Sequence, residues 1–320
     1  MKIFKLLFFI TFLLATTACS EDELSANSVI DAQSSHQQFT ALDQWIEDSI
    51  TMPYGIAVEY RWNKYTSPIQ GYTTPPDTAN IRQVLRTIKE LWIDLYTSSN
   101  TGGKDFLRDK KPLKMYLFGG PNIDPNGVER LNNPNATNIE MYIFNVNSFT
   151  TSDYKCVYKL MRSVHHQFAK RLMEVFPFDR TTFSSFSKHW YTDGSTDFIE
   201  KRLKYMKDEM ELYRIVNYGL IHGMFTYYSF LSGDDDFAEM VSVHLMHTPK
   251  EISQSLEHAR EPHNVSPEDE FYEEEKKKAE QRYQELTAKR EIMLDFFKKE
   301  VDISMNVLQK HSLKKLNRYK

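Results

Sequence analysis

The chain contains few of the residues on which several common protein classes depend. Two of its 320 residues are cysteine, which excludes a disulfide scaffold and a cysteine-rich zinc module. Glycine occurs 11 times, and no GxxxxGK[ST] or GxGxxG pattern is present, so phosphate-binding loops of the usual kinds are not expected. The 40 lysines and arginines are outnumbered by 44 aspartates and glutamates, and the net charge of −4 offers no basic field to nucleic acid.

The residues that are present predict a folded protein of mixed secondary structure. Hydrophobic residues form 41% of the chain and aromatic residues 13%, which is enough for a sizeable core and excludes a largely disordered chain. Alternating apolar residues predict strands at 55–62, 113–118 and 139–146, and a loop is expected at 64–77. Helical spacing predicts helices at 40–48, from Thr78 to Leu95 and at 154–175. Because strands precede helices, we expect an α+β fold with a small N-terminal sheet and a mostly helical C-terminal half.

The N-terminal segment predicts export. Lys2 and Lys5 precede an apolar run at residues 6–18, which is shorter than the roughly 20 residues of a membrane-spanning helix. This layout is typical of a secretory signal. Small residues then lead to Cys19, which resembles the lipidated first residue of a mature bacterial lipoprotein. The alternative is an ordinary secretory signal followed by an incidental cysteine.

The residues after Cys19 favour the lipoprotein interpretation. The acidic stretch at 20–23, SEDE, resembles the surface-export signal of Bacteroidota lipoproteins, and the polar residues that follow suit a flexible tether. We expect a signal peptide at 1–18, a tether at 19–38 and a single domain at 39–320. Two or more acyl chains anchor a protein durably in a membrane. Together with the resemblance to a surface-export signal, this gives the outer membrane, on the cell-surface side, as the expected location.

The helix predicted at 154–175 contains the main chemical pattern. In the HExxH motif, two histidines four residues apart share a helix face and hold one zinc, while the glutamate activates a water. The corresponding residues here are His166, Gln167, Phe168, Ala169 and Lys170, so the first histidine is present while the glutamate and the second histidine are replaced. An alternative interpretation is a solvated basic stripe, formed by Lys159, Arg162, His166 and Lys170.

Five longer stretches resemble one protein family. They are TALDQWIEDSITMPYGIAVEYRW at 40–62, GGKDFLRDKKPLKMYLFGG at 102–120, HQFAK at 166–170, NYGLIHGMFTYYSFLSGDDDFAEMVSVHL at 217–245 and KREIMLDFFKKEVDISMNVLQ at 289–309. The family is that of the substrate import-associated zinc metallohydrolase lipoproteins, also described as putative zinc-binding metallopeptidases. Their genes commonly lie beside SusC/SusD-type outer-membrane importers. The resemblance implies a zincin-like metallopeptidase fold for the domain.

The resemblance also implies where a third zinc ligand would lie. In the stretch that matches the family's EDFAE segment, Asp235 takes the first acidic position, and Asp236 and Glu239 follow it. The alternative is that Asp234, Asp235 and Asp236 cap a helix and occupy its first turn, where the helix dipole favours negative charge. His165 and His222 are further candidates for a variant metal site.

The two replacements predict the loss of metallopeptidase chemistry. Gln167 cannot accept a proton at neutral pH, so it cannot act as a general base. Lys170 presents an ammonium that repels a dication unless its pKa falls by several units. We therefore expect no catalytic residues and no cofactor, with zinc present only under the alternative of an active metallopeptidase that uses variant ligands.

The expected function is that of a non-catalytic accessory subunit. Its partners would be an outer-membrane β-barrel of the SusC type or similar, SusD-like lipoprotein components, and the membrane through the lipid on Cys19, with no nucleic acid. A glycan- or peptide-binding surface protein is a third interpretation, supported by the abundance of tyrosine and tryptophan. The charged stretch at 266–291 predicts a solvated helix, with a docking helix for a membrane-associated partner as its alternative.

The lysine at the second ligand position has a structural consequence of its own. Without a metal, the acids at 235–239 would face an uncompensated pocket, and buried unpaired carboxylates are costly. Lys170 could reach this site on its flexible side chain. The sequence therefore predicts that Lys170 forms an ion pair in place of the metal, with Asp235 first and Glu239 next. The alternative is a Lys170 that points to solvent.

Overall fold

A computed structural model describes residues 39–62, 73–133 and 137–320. The predicted signal peptide, the predicted tether with Cys19, and most of the loop predicted at 64–77 lie outside the described residues. Residues Gln44–Lys320 form one compact unit. Within the described ranges, each helix is too short or too polar to cross a membrane.

The three described strands form a parallel sheet in the order β1-β2-β3. They are β1 at Ala57–Glu59, β2 at Lys114–Leu117 and β3 at Glu140–Ile143. Each lies inside a segment predicted as a strand, but each is shorter than predicted. In the register, Val58 pairs with Met115, which in turn pairs with Met141. Because β2 is central, β1 and β3 are the two edges, and their outer backbone groups need partners from elsewhere.

Two helices with internal π-helical turns precede and follow β1 in the sequence. Helix α1 consists of Ala41–Ile46, the π turn Glu47–Thr51 and Met52–Tyr54. It ends at Gly55, whose φ of 64° is readily adopted by glycine. The predicted end at residue 48 is therefore too early, and residue 55 is a helix end, not the start of a strand. Helix α2 consists of Thr78–Ile88, the π turn Lys89–Ile93 and Asp94–Tyr96, as its apolar spacing predicted.

The second half of the chain is mostly helical, as predicted, and the α+β class is confirmed. Its helices are α3 Tyr154–Val175, α4 Arg180–Ser185, α5 Asp197–Leu203, α6 Asn217–Leu220, α7 Gly233–Met246, α8 Pro249–Ala259, α9 Tyr272–Lys299 and α10 Met305–Leu316. Helix α3 matches its predicted bounds, and Asp153 caps it by accepting a hydrogen bond from the Lys155 N–H. Helices α3 and α7 form the most extensive contact between described elements, and α7 is buried along almost its whole length.

Helix α9 corresponds to the charged stretch predicted as a solvated helix. Its exposed face includes an ion pair between Glu274 and Lys278 at 2.7 Å. Lys289 departs from this prediction, because its side chain is 0% exposed. The Lys289 Nζ donates to Asp236 Oδ2 at 2.6 Å, to Ser187 Oγ at 2.8 Å and to the Gly223 carbonyl at 2.7 Å. These three acceptors satisfy the buried ammonium and hold α9 against α7.

Candidate functional site

The packing of α3 against α7 brings four of the predicted site residues together. The His166 Nε2 lies 3.2 Å from Asp235 Oδ1, and its Nδ1 lies 2.8 Å from Glu239 Oε1. The Lys170 Nζ donates to Asp235 Oδ1 at 2.8 Å. Each helix contributes two residues four positions apart, so both members of each pair face the same side. We call these four residues the acid–cation cluster.

The predicted ion pair between Lys170 and Asp235 is confirmed. The side chains of Lys170 and Asp235 are 19% and 12% exposed, so the pair lies at the edge of the buried region. A solvent-facing Lys170 is therefore wrong. The alternative of a solvated basic stripe is also wrong, because the side chains of Arg162 and His166 are 0% and 2% exposed.

Arg162 completes the neutralisation of Glu239. Its Nη2 donates to Glu239 Oε2, and its Nε donates to the Tyr213 carbonyl at 2.8 Å. The hydroxyl of Thr226 donates to the same Glu239 oxygen at 2.6 Å. No sequence motif indicated that Arg162 belongs to the site. Its position four residues before His166 was the available signal that both side chains face the same acids.

The electrostatics of the cluster favour its charged forms. Burial opposes ionisation of Asp235, but the hydrogen bond from His166 and the charge of Lys170 hold the pKa of that carboxyl well below its usual range. Burial also acts against Glu239, whose pKa is nevertheless lowered by Arg162 and His166. Burial lowers the pKa of His166, but hydrogen bonds to the two acids raise it above 6.5 overall. His166 is thus favoured as an imidazolium that donates from both nitrogens.

Gln167 faces the sheet, away from the acids. Its Oε1 accepts a hydrogen bond from the Tyr142 N–H at 2.8 Å, and its Nε2 donates to the Tyr142 carbonyl at 2.8 Å. Tyr142 lies in the edge strand β3, so one side chain satisfies both polar backbone groups of this residue. A glutamate could accept from the N–H but would place a carboxylate oxygen against the carbonyl. The neighbouring Phe168 and Ala169 are buried core residues.

Asp236 belongs to a different contact. Its carboxylate accepts hydrogen bonds from Lys289 at 2.6 Å and from the Tyr191 hydroxyl at 3.1 Å. The predicted acidic group is therefore divided between α3 and α9. Asp234, Asp235 and Asp236 do occupy the first turn of α7, as the alternative predicted, but the capping residue is Ser232, whose side chain accepts from the Asp235 N–H.

The two additional histidine candidates do not join the cluster. Burial, together with the charge of Arg162, lowers the pKa of His165 to about 3, so this ring is neutral. Its ring nitrogens have no hydrogen-bond partner among the described residues. The His222 Nδ1 pairs with the Tyr218 carbonyl at 2.7 Å, and its ring packs against Trp190 at 4.3 Å between ring centres. Neither histidine is therefore arranged to bind a metal ion together with the acids of α7.

The side chains of the acid–cation cluster, in the arrangement described above, do not fit a zinc ion. A zinc ligand must offer a lone pair, whereas both ring nitrogens of His166 already contact carboxylate oxygens. The ammonium of Lys170 lies on the Asp235 oxygen that a metal would need. Within residues 39–62, 73–133 and 137–320, no three His, Cys, Asp or Glu side chains are grouped to hold a metal ion.

Comparison with known proteins gives the family. The model of a family described as "Putative zinc-binding metallo-peptidase" matches residues 35–306, and the chain belongs to this family. Among solved structures, it is similar to the crystal structure of a putative zinc-binding metallo-peptidase from Bacteroides caccae ATCC 43185. The TM-score is 0.57 and the identity 16%, over 87% of this chain and 92% of the other. This likeness confirms the predicted metallopeptidase fold. A search of curated proteins found no match to the chain.

The raised pKa of His166 predicts a pH dependence of stability. A histidine whose pKa is higher in the folded state stabilises that state fully below its unfolded pKa of about 6.5. This contribution is lost as pH rises through the folded pKa. We expect His166→Gln to be most destabilising below about pH 6.5, and the free-energy difference from wild type to shrink as the pH rises above that value and through the folded-state pKa of His166.

Urea unfolding of both proteins across this range measures the difference. The matched control is His189→Gln, since His189 is exposed, and its difference from wild type should stay small at every pH. A His166→Gln difference that is constant with pH would show that the imidazole does not gain a proton on folding.

Proposed function

We propose that this protein is a non-catalytic member of its family, in which the metallopeptidase fold is kept for another role. The acid–cation cluster is the observation that carries this proposal. Lys170 and a protonated His166 supply the positive charge that a metal ion would supply to Asp235 and Glu239. The side chain at the general-base position, Gln167, can neither accept a proton at neutral pH nor face the acids while it binds β3.

The surroundings of Gln167 give independent support. An extended peptide that binds a sheet edge does so through the free N–H and C=O groups of the edge strand. At Tyr142 both groups are already bonded to Gln167. The cavity beside Gln167 and Lys170 has a volume of about 30 Å³. Such a space holds roughly one or two water molecules and is too small for a peptide.

We further propose that the protein acts at the outer membrane as an accessory subunit. The apolar run at 6–18 and Cys19 support a lipid anchor, and the acidic residues at 20–23 support the cell-surface side. The resemblance to importer-associated lipoproteins supports a complex with a SusC/SusD-type or similar β-barrel. The second candidate function is an active zinc metallopeptidase with variant ligands, which the description of the family favours.

Zinc binding separates the two candidates. The wild-type protein should take up no stoichiometric zinc, whereas Lys170→His replaces the ammonium with an imidazole on the same helix face and should allow one zinc per chain to bind. This variant keeps Gln167 and its bonds to β3, so it tests the metal site without disturbing the sheet. Adding Gln167→Glu would complete HExxH.

Zinc content and titration of the purified proteins give the answer. The matched control is Lys155→His, an exposed substitution on the same helix that should bind no zinc. One tightly bound zinc per wild-type chain would contradict the non-catalytic proposal and favour the active metallopeptidase. Failure of both Lys170→His and the double variant to bind zinc would show that the acids of α7 are not placed to hold a metal.

The anchoring proposal has a separate test. Cys19→Ala should remove the only acyl acceptor near the signal, so the protein should leave the membrane fraction and lose its co-purifying β-barrel and SusD-like components. Cys156→Ala is the matched control, because it removes the other cysteine and should change neither property. Quantitative mass spectrometry of the membrane and soluble fractions measures the location of the protein and the amount of its co-purifying components. Recovery of Cys19→Ala in the membrane fraction at the wild-type level would contradict the proposal.

A further inference from the structure

A cavity of about 220 Å³ lies along the N-terminal half of α3, apart from the acid–cation cluster. Four of its lining residues form an apolar floor, namely Leu131, Phe149, Leu160 and Tyr213. All four are buried. A cavity of about 150 Å³ is large enough to hold a benzene ring. This one therefore has room for an aromatic or branched apolar group together with a few polar atoms.

One wall of the cavity is a fixed polar network. The Lys159 Nζ lies 3.3 Å from Glu129 Oε2 and 4.8 Å from the centre of the Tyr213 ring. The other oxygen of Glu129 accepts a hydrogen bond from the Asn145 side chain. A lysine ammonium has three N–H donors, and the contact with Glu129 uses one of them. Lys159 is therefore held at the wall with donor capacity for a ligand.

The rim of the cavity has charges of both signs. Lys155 is exposed there and lies one helical turn before Lys159, on the same face of α3. Two exposed acidic residues, Asp153 and Glu209, line the cavity as well. The amino end of a long helix adds a partial positive charge. Two ammonium groups on one helix face suit a carboxylate, while the acidic residues can accept hydrogen bonds from an amine or amide of the same ligand.

We propose that this cavity binds a small carboxylate that has an aromatic or branched apolar group next to it. This is the chemistry of a free apolar amino acid or of the C-terminal residue of a peptide. The carboxylate would lie between Lys155 and Lys159, and the apolar group would rest on Phe149 and Leu160. The inference uses none of the four cluster residues, so it does not depend on the proposed function.

Cys156 provides a reporter for this site. Its thiol lines the cavity, and its Sγ lies 3.6 Å from the Ser148 carbonyl. The residue is half-buried and faces the cavity. A bound ligand would shield the thiol from alkylation. In the full chain with Cys19→Ala, Cys156 is the sole remaining cysteine, so the rate of alkylation by N-ethylmaleimide reports on the cavity alone.

The experiment compares phenylalanine, N-acetylphenylalanine and phenylalaninamide at millimolar concentration by calorimetry and by protection of Cys156. We expect at least one of the two carboxylates to bind and to slow alkylation, while the amide does neither. Binding of both would identify the end of a peptide as a ligand, and binding of phenylalanine alone would identify a free amino acid. If the amide protects as well as the carboxylates do, or if none of the three protects, the proposal is overturned.

A lysine variant tests the carboxylate contact. Lys155→Gln is an exposed substitution that leaves the floor intact, and it should raise the Kd of the carboxylate that binds by roughly 10-fold, as expected for one charge-assisted hydrogen bond. Lys310→Gln, on the exposed face of α10, is the matched control and should leave the Kd unchanged. An unchanged Kd in Lys155→Gln would contradict the assignment of the carboxylate to this end of the cavity.

Discussion

The structure depends on the neutralisation of two carboxylates that α7 brings into the core. An ionised carboxylate that is buried without a partner costs several kcal/mol. Asp235 is matched by Lys170 and His166, and Glu239 is matched by His166 and Arg162. All three cations come from one face of α3. The close packing of α3 against α7 is therefore compatible with two acids at their interface, because the facing helix supplies the charges that the acids need.

Two side chains of α3 support our proposal of a non-catalytic role. Lys170 has an ammonium where the HExxH motif would have its second histidine, and this ammonium binds Asp235. Gln167 has an amide where the pattern has a general base, and this amide satisfies the edge of the sheet. Under this proposal, each side chain removes one chemical requirement for hydrolysis and adds one contact within the fold.

Local patterns were sufficient to predict part of this arrangement. Helical spacing gave α3, and the pairing of Lys170 with Asp235 followed from the four-residue spacing and the family resemblance. The pairing of Gln167 with Tyr142 could not be predicted, because it joins elements whose relative placement no local pattern specifies. The burial of Arg162 and Lys289 was missed because single charged residues on helices usually face solvent. Asp236 was predicted to lie with Asp235 and Glu239, but it binds Lys289. Adjacent residues of a helix project about 100° apart, so Asp235 and Asp236 cannot face the same neighbour.

The central claim is that an ion pair between Lys170 and Asp235, at the edge of the buried region, takes the place of a metal ion. A double-mutant cycle with Lys170→Met and Asp235→Asn, measured by urea unfolding near neutral pH, tests it most directly. The account predicts that each single variant is destabilised and that the two changes are coupled by about 1–3 kcal/mol, as expected for contacting charges in a shared network. A coupling energy within about 0.5 kcal/mol of zero, the additivity expected for independent sites, would contradict it.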